Sequence, residues 1–282
     1  MSSYKLYAFA DEASPMIDAQ IQALRRNRMQ GLEIRNVDGA SVSDIPVSKA
    51  REVRQRLADA GLTVWSVGSP IGKIDIVKDD FNAHMDKLRY TLDVARELGT
   101  ANLRMFSFYI PADDTPDRYR DEVMERLARM VEAAQGSGVR LCHENEKGIY
   151  GDIAARCLDI HQSVPALTGI FDPANFVQCG QNTAEAWKLL KPFIGYMHIK
   201  DALADGSVVP VGHGIGHVAE IVGDYLASGG EALTLEPHLA VFEGFARLER
   251  DAEAQRRFVY PSSDAAFDAA AQALRDILAA LD

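Results

Sequence analysis

Short apolar segments alternate with longer amphipathic segments along this chain. The short segments have the length and composition of β-strands, and the longer ones repeat apolar positions with the period of an α-helix. We predict eight strands, at Tyr4–Ala10, Leu32–Val37, Thr63–Ser69, Asn102–Phe108, Val139–Glu144, Leu167–Asp172, Ile194–Asp201 and Ala232–His238. We predict a helix after each strand, at about Pro15–Arg28, Pro46–Ala60, Asp79–Leu98, Asp117–Gln135, Asp152–Gln162, Thr183–Leu190, His217–Ala227 and Asp264–Leu281.

This regular alternation predicts the fold class. Strands that are separated by helices run parallel and are joined by right-handed crossovers. Eight such units in 282 residues favour an α/β fold of the closed (β/α)₈ TIM-barrel type over an open sheet. We predict a single domain that spans residues 1–282, with an insertion at residues 240–262 before the last helix. A lid, a dimer contact and plain solvated surface are the roles left open for that insertion.

Composition narrows the class of function. The net charge of −11, from 30 Lys and Arg against 41 Asp and Glu, gives no general attraction to a phosphate backbone, so we expect no nucleic-acid partner. The three cysteines lack metal-type spacing, and no run approaches the ~20 apolar residues of a membrane span. The first residues lack the apolar core of a signal peptide. We therefore expect a cytoplasmic protein with no membrane partner.

Four of the predicted strands end in a side chain that can bind a metal ion. These residues are Glu144, Asp172, His198 and Glu236. The carboxyl ends of all strands of a parallel barrel meet at one mouth, so residues far apart in sequence converge there. Three carboxylates and one imidazole suit Mn²⁺, Mg²⁺, Co²⁺ or Zn²⁺. Metal binding would then compete with protons near the ordinary histidine pKa of about 6.5.

Each of these residues also has an ordinary structural interpretation. Glu144 and Asp172 can cap helices or turns, and a lone strand-end histidine such as His198 is more often a hydrogen-bonded structural residue. Glu146 is the rival ligand to Glu144 if the strand register differs by two residues. The shared position at four strand ends favours the metal site over four unrelated structural roles.

The motifs HENEKGIYGD, FDPANF, MHIKD followed by PVGHGIG, and LTLEPH resemble the xylose-isomerase-like TIM-barrel superfamily, in particular its sugar-phosphate isomerase/epimerase branch. The resemblance runs from FADEAS near the start to LTLEPH. It implies that Glu144, Asp172, His198 and Glu236 bind one divalent metal ion, most often Mn²⁺. It also implies that Glu144 and Glu236 are catalytic and move a proton next to a substrate carbonyl or hydroxyl group.

Two positions depart from the pattern of the ketose 3-epimerases in this superfamily. Asn175 stands where those enzymes have a histidine, and Gly212-His213-Gly214 stands where Gly-Glu-Gly is common. Endonuclease IV shares the superfamily, but the histidines of its three-metal cluster have no counterpart in Gly68-Ser69-Pro70 or Ser107-Phe108-Tyr109. Nuclease activity is therefore not expected.

Further polar residues are predicted to face the same mouth. We predict substrate contacts for Lys200, Asn175, Arg35, Arg104 and His213. Lys200 can bind a substrate oxygen, stabilise an oxyanion or pair with Asp201. An ion pair inside the barrel is the alternative for both arginines. The segment Gly212–Gly216 has the composition of a weak phosphate nest.

The sequence thus predicts a divalent-metal-dependent isomerase or epimerase of a small carbohydrate or keto-sugar. In this hypothesis the paired glutamates abstract and return a proton through a metal-stabilised enediolate. The first alternative is a metal-dependent lyase (a dehydratase) or hydrolase on the same scaffold, acting on a cyclitol or a hydroxy-keto acid. A non-enzymatic sugar-binding protein is the second alternative. Assembly into a homo-oligomer is left open.

Overall fold

Eight parallel strands close into a barrel, as predicted. The computed structural model describes residues 4–239 and 258–281. The barrel strands are β1 Lys5–Ala8, β2 Gly31–Ile34, β3 Thr63–Val67, β4 Asn102–Met105, β5 Arg140–Glu144, β6 Thr168–Phe171, β7 Ile194–Ile199 and β8 Ala232–Leu235. Each strand pairs with the next along the chain, and β8 closes the barrel by pairing in parallel with β1, from Lys5 opposite Ala232 to Ala8 opposite Leu235.

Helices follow the strands and cover the outside of the barrel. They are α1 Ile17–Arg26, α2 Val47–Asp59, α3 Phe81–Leu98, α4 Arg120–Ala134, α5 Ala154–Ser163, α6 Pro173–Gln178, α7 Thr183–Leu190, α8 Val218–Ala227 and α9 Ser263–Leu281. The observed elements are a few residues shorter than most of the predicted ones, because the patterns extend into capping turns. The Asp80 side chain caps α3 by accepting from two backbone N–H groups, and Gly99 ends that helix at a φ of 76°.

Helix α6 was not predicted. It has six residues, which is too short to show a helical period, and it begins with Pro173 directly after β6. The side chain of Asp172 caps it by accepting from the backbone N–H of Asn175. This contact places a predicted metal ligand at the helix start.

The lower part of the barrel interior is filled by aromatic side chains. Tyr7 stacks on Trp65 with ring centroids 5.1 Å apart, and Tyr196 meets the Trp65 ring edge-on at 5.6 Å. The side chains of Cys142 and Ile170 belong to the same cluster. Side chains on one face of a strand recur every second residue, so His198 lies one layer above Tyr196, nearer the carboxyl ends. Polar side chains therefore occupy the barrel interior above this aromatic cluster, towards the carboxyl ends of the strands.

Gly31 lies so close to the neighbouring strand β3 that a larger residue there is expected to destabilise the protein. A methyl group at Gly31 would lie 1.8 Å from the backbone oxygen of Thr63, on the neighbouring strand β3. We expect Gly31→Ala to lower the free energy of unfolding by about 3 kcal/mol, because the backbones must move apart. Gly136→Ala is the control: it has open space but a φ of +75°, so it should cost only about 1 kcal/mol. Urea unfolding measures both, and equal costs would contradict the proposed clash.

Part of the predicted insertion lies outside the described residues. This applies to residues 240–257, whereas residues 258–262 precede α9 without regular secondary structure. The insertion and the single-domain extent of 1–282 therefore stay predictions. Cys142, Cys157 and Cys179 are free thiols. Within 4–239 and 258–281, no helix is long and apolar enough to cross a membrane.

Candidate active site

The four predicted metal ligands come together at the carboxyl end of the barrel. Glu144, Asp172, His198 and Glu236 each offer a ligand atom, and these atoms all lie within 4.8 Å of one another. All four residues are buried, with exposed fractions of 3% or less. Strands β5 to β8 deliver them in chain order. Alternation then places Glu144 and His198 on the inner face of their strands.

His198 lies between two carboxylates. Its Nδ1 atom is 2.9 Å from Oε1 of Glu144, and its Nε2 atom is 3.0 Å from Oε2 of Glu33. Burial alone disfavours an imidazolium, but the charges of Glu144 and Glu33 outweigh it and raise the pKa of His198 to about 10. The imidazole ring is therefore protonated at neutral pH unless a metal ion displaces the proton. Protons are therefore expected to compete with a metal ion for His198 at a higher pH than the value of ~6.5 expected from the sequence.

Lys200 bridges two other members of the group. Its Nζ atom lies 3.0 Å from Oδ2 of Asp172 and 3.0 Å from Oε2 of Glu236. The Glu236 contact is a well-formed hydrogen bond, whereas Asp172 Oδ2 has no hydrogen-bond partner of acceptable geometry in the described residues. Burial, only partly opposed by Lys200, raises the pKa of Asp172 to about 7.

Both predicted substrate-binding arginines form ion pairs inside the barrel. Arg35 contacts Asp11, Glu12 and Glu236 at 2.9 to 3.1 Å, and Arg104 donates to Oε2 of Glu144 at 3.1 Å. The observed contacts thus match the alternative of an internal ion pair that the sequence left open.

Neighbouring cationic side chains lower the pKa of both Glu144 and Glu236. Burial would raise the pKa of Glu144, but His198 and Arg104 lower it to about 2. Burial is likewise overcome at Glu236, mainly by Lys200, then by His238 and His198, so its pKa falls well below the usual range. Both glutamates are therefore carboxylates at neutral pH.

Two asparagines lock the ends of β5 and β6 together. The Asn145 side chain exchanges two hydrogen bonds with the backbone of Asp172, both at 2.9 Å. The Asn175 amide donates to the backbone oxygen of Asn145 at 2.9 Å and to Oε1 of Glu144 at 3.3 Å. Asn175 was predicted to contact substrate, and the structure places its amide against Glu144 instead of in open space.

Other predicted candidates lie away from the central group. Glu146, the rival to Glu144, pairs with Lys73 at 2.9 Å. His213 is exposed, and its ring packs against Phe258 with centroids 5.7 Å apart. The backbone N–H groups of Gly212, Gly214 and Gly216 all donate to the Asp201 carboxylate at 2.9 to 3.0 Å. The segment is therefore a nest, but its anion is a side chain of the protein itself.

Several residues of this site were not singled out from the sequence. Glu33 is completely buried beneath His198, and Glu12 accepts a hydrogen bond from the backbone N–H of His238. Glu33 had a detectable signal, because it lies between the apolar residues Leu32 and Ile34 and strand alternation places it on the same face as Arg35. Asp11 and Glu12 follow β1 in a 3₁₀ turn, which the pattern did not distinguish from a loop.

Among the described residues, the buried carboxylates of the mouth outnumber the cationic side chains that contact them. Asp11, Glu12, Glu33, Glu144, Asp172 and Glu236 face Arg35, Arg104, Lys200 and His198. This surplus shows in the pKa of Glu12, which burial and the nearby Glu236 and Asp11 raise to about 8 despite Arg35. A mouth with excess buried negative charge, in which Oδ2 of Asp172 has an ion-pair contact but no well-formed hydrogen bond, fits a divalent cation.

The sequence matches a family model described as xylose isomerase-like TIM barrel over residues 21–237. The chain belongs to this xylose isomerase-like family. The match includes β2 to β8 and all four strand-end residues of the central group. No curated protein matches the chain significantly in sequence.

Three solved structures share this fold over 97% or more of each chain. The IolI protein with a bound zinc atom is 14% identical, with a TM-score of 0.74 and 99% of each chain covered. The probable 3-DHS dehydratase AsbF from Bacillus anthracis is 17% identical, with a TM-score of 0.74 and coverage of 97% and 98%. D-psicose 3-epimerase from Clostridium cellulolyticum H10, solved with D-tagatose, is 14% identical, with a TM-score of 0.73 and 99% of each chain covered. At such identities the likeness shows the fold alone, and the reactions named differ from one protein to the next.

Proposed function

We propose that this protein is a divalent-metal-dependent isomerase or epimerase of a small carbohydrate or keto-sugar. One observation carries the proposal: two buried glutamates with lowered pKa values, Glu144 and Glu236, converge with Asp172 and His198 within 4.8 Å. Enzymes that exchange a proton next to a carbonyl need a fixed base, a fixed acid and a way to stabilise negative charge on oxygen.

Glu144, Asp172, His198 and Glu236 would hold the metal ion. Mn²⁺ is our first choice, and Zn²⁺, Co²⁺ and Mg²⁺ also suit three carboxylates and an imidazole. When bound, the ion would polarise neighbouring substrate oxygens and lower the cost of the enediolate charge. The IolI structure contains zinc, which supports a divalent ion without identifying the metal used by this chain.

The two glutamates are suited to serve opposite faces of a substrate carbon. They come from β5 and β8, which are separated in the barrel by β6 and β7, so their side chains reach the centre from different directions. The cations around both carboxylates keep them ionised, so either can accept a proton. The glutamate that has taken up the proton returns it to a neighbouring carbon, which isomerises the sugar. To invert the carbon, the opposite glutamate must first take a proton from solvent and deliver it to the other face, and the first glutamate then releases its proton to solvent.

Lys200 has the position and charge to assist this proton transfer. Neighbouring carboxylates, with Asp172 and Glu236 foremost, overcome the effect of burial and hold its pKa well above the usual range, so it stays an ammonium group. We propose that it donates a hydrogen bond to the substrate oxygen on which charge develops.

A dehydratase is the second candidate. It would use the same proton abstraction but expel a hydroxyl group from the next carbon. Asn175 favours it, because an amide that is engaged by Glu144 and Asn145 supplies neither the charge nor the proton of the histidine found in ketose 3-epimerases. The similarity to a probable 3-DHS dehydratase points in the same direction.

Incubation in D₂O distinguishes these candidates. Protein loaded with Mn²⁺ is offered a panel of ketopentoses, ketohexoses and dehydroshikimate, and the products are analysed by mass spectrometry and NMR. We expect a sugar product that gains deuterium at the carbon next to the carbonyl and loses no water. A product that has lost one water molecule would identify the dehydratase instead. Metal-independent sugar binding without deuterium exchange would contradict both candidates.

A further inference from the structure

We propose that Glu33 is a positioning residue, which fixes the tautomer and the ring orientation of His198 so that Nδ1 faces Glu144, Asp172 and Glu236. This inference rests on the proposed function, because it assigns the ring nitrogen that would bind the metal. Glu33 lies on β2 and His198 on β7, and these strands are not neighbours in the barrel. Their contact therefore crosses the barrel interior.

The two nitrogens of His198 have different partners. Nε2 lies 3.0 Å from Oε2 of Glu33, whereas Nδ1 lies 2.9 Å from Oε1 of Glu144 and 3.8 Å from Oε2 of Glu236. A carboxylate can only accept, so Nε2 must carry the hydrogen in its bond with Glu33. Once the proton on Nδ1 leaves, that nitrogen has a lone pair directed at the other three predicted ligands. A carboxylate behind a histidine ligand fixes the ring in this manner in many metal sites.

Glu33 is itself held in place from below. Its Oε1 atom accepts a hydrogen bond from the Tyr196 hydroxyl at 3.0 Å, and that hydroxyl lies 3.1 Å from Oγ of Ser66. The edge-on contact with Trp65 fixes the Tyr196 ring. These contacts leave the Glu33 carboxylate little freedom to turn away from His198.

The burial of Glu33 needs an explanation. Its exposed fraction is 0%, and among the described residues its ion-pair partner is His198 alone. A carboxylate at such a position is costly unless it is paired, and an apolar side chain would fill the same volume more cheaply. A role in holding His198 accounts for a carboxylate there, whereas packing alone does not.

The histidine tautomer can be tested on the unaltered protein. ¹⁵N-labelled protein is loaded with Zn²⁺, and the ring nitrogens of His198 are observed by long-range ¹H–¹⁵N NMR, with His198→Asn used for assignment. We expect a protonated Nε2 and a metal-bound Nδ1. A metal-bound Nε2 with a protonated Nδ1 would overturn the inference.

Replacement of Glu33 provides a second test with a readout other than activity. We expect Glu33→Gln to weaken Zn²⁺ binding by about 10–100-fold, because the ring is no longer fixed by a charged partner. Glu146→Gln is the matched control. It removes the same charge near the mouth from a residue that pairs with Lys73, and we expect it to leave the Zn²⁺ affinity unchanged. Competition with a chromophoric chelator measures the Zn²⁺ dissociation constants of the unaltered protein, Glu33→Gln and Glu146→Gln.

The outcomes separate this inference from the proposed function. If Glu33→Gln binds Zn²⁺ as tightly as the unaltered protein, the role of Glu33 is wrong and the proposed metal site stands. If the unaltered protein binds no divalent ion, both the proposed function and the role of Glu33 are wrong. Tyr196→Phe adds a graded check, because loss of its hydroxyl should weaken Zn²⁺ binding less than loss of the Glu33 charge.

Discussion

Glu144→Gln and Glu236→Gln are each expected to lower turnover by about 10²–10⁴-fold, the usual contribution of a positioned acid or base. A glutamine keeps the shape of the side chain but can neither accept the substrate proton nor offer an anionic ligand oxygen. Each variant should therefore also retain less metal after dialysis. Deuterium exchange on the substrate and metal content by mass spectrometry measure the two effects.

The control for metal content in this experiment is again Glu146→Gln. Glu146 lies two residues from Glu144 and is largely buried, yet its carboxylate pairs with Lys73, outside the central group of four. We expect this variant to keep its metal. Retention of both metal and turnover by Glu144→Gln and Glu236→Gln would falsify the proposed catalytic pair.

The affinity for a divalent metal is expected to rise steeply with pH. His198, with a pKa of about 10, must lose a proton to become a ligand. Between pH 7 and pH 10 the apparent dissociation constant should fall by about tenfold per pH unit, because one proton is released for each ion bound. Below pH 7 the dependence should steepen, since Asp172, with a pKa of about 7, is then also protonated.

Calorimetric titrations with Zn²⁺ at several values between pH 6 and pH 8.5 test this dependence. Titrations in two buffers with different ionisation enthalpies count the protons released. His198→Asn should show weaker binding and a flatter pH dependence above pH 7, because the group that competes with the metal is gone. A metal affinity that is constant between pH 7 and pH 8.5 would contradict the protonation state inferred for His198.

The same pKa shifts predict how these groups change the stability of the metal-free protein with pH. The folded pKa values of Asp172, Glu12 and His198 all lie above their ordinary values, so these three groups bind more protons in the folded state than in the unfolded state. Their contribution to stability is largest at low pH and falls as pH rises through about 7, 8 and 10, respectively. Glu144 and Glu236 act in the opposite sense, but their titration is complete below pH 6. Because metal binding is expected to tighten as pH rises, added metal should raise the melting temperature more at pH 8 than at pH 6.

The sequence alone was sufficient to predict the barrel and the meeting of Glu144, Asp172, His198 and Glu236. Strand and helix periods are local properties, and parallel strand order follows from the alternation of the two. Once the strands are parallel and closed, the strand ends must share one mouth. For this reason a one-dimensional pattern predicted that side chains more than 90 positions apart, such as Glu144 and Glu236, would lie close together.

Only the tertiary structure decided how these side chains are paired and charged. Whether Arg35 and Arg104 point at a ligand or at Glu236 and Glu144 depends on distances across the barrel, which no local pattern contains. The raised pKa of His198 depends on Glu144 and on Glu33, a residue on the far side of the interior. Sequence periodicity states which face of a strand a residue occupies. Coulomb energy and desolvation depend on the three-dimensional distances between faces, and those distances set the chemistry of this mouth.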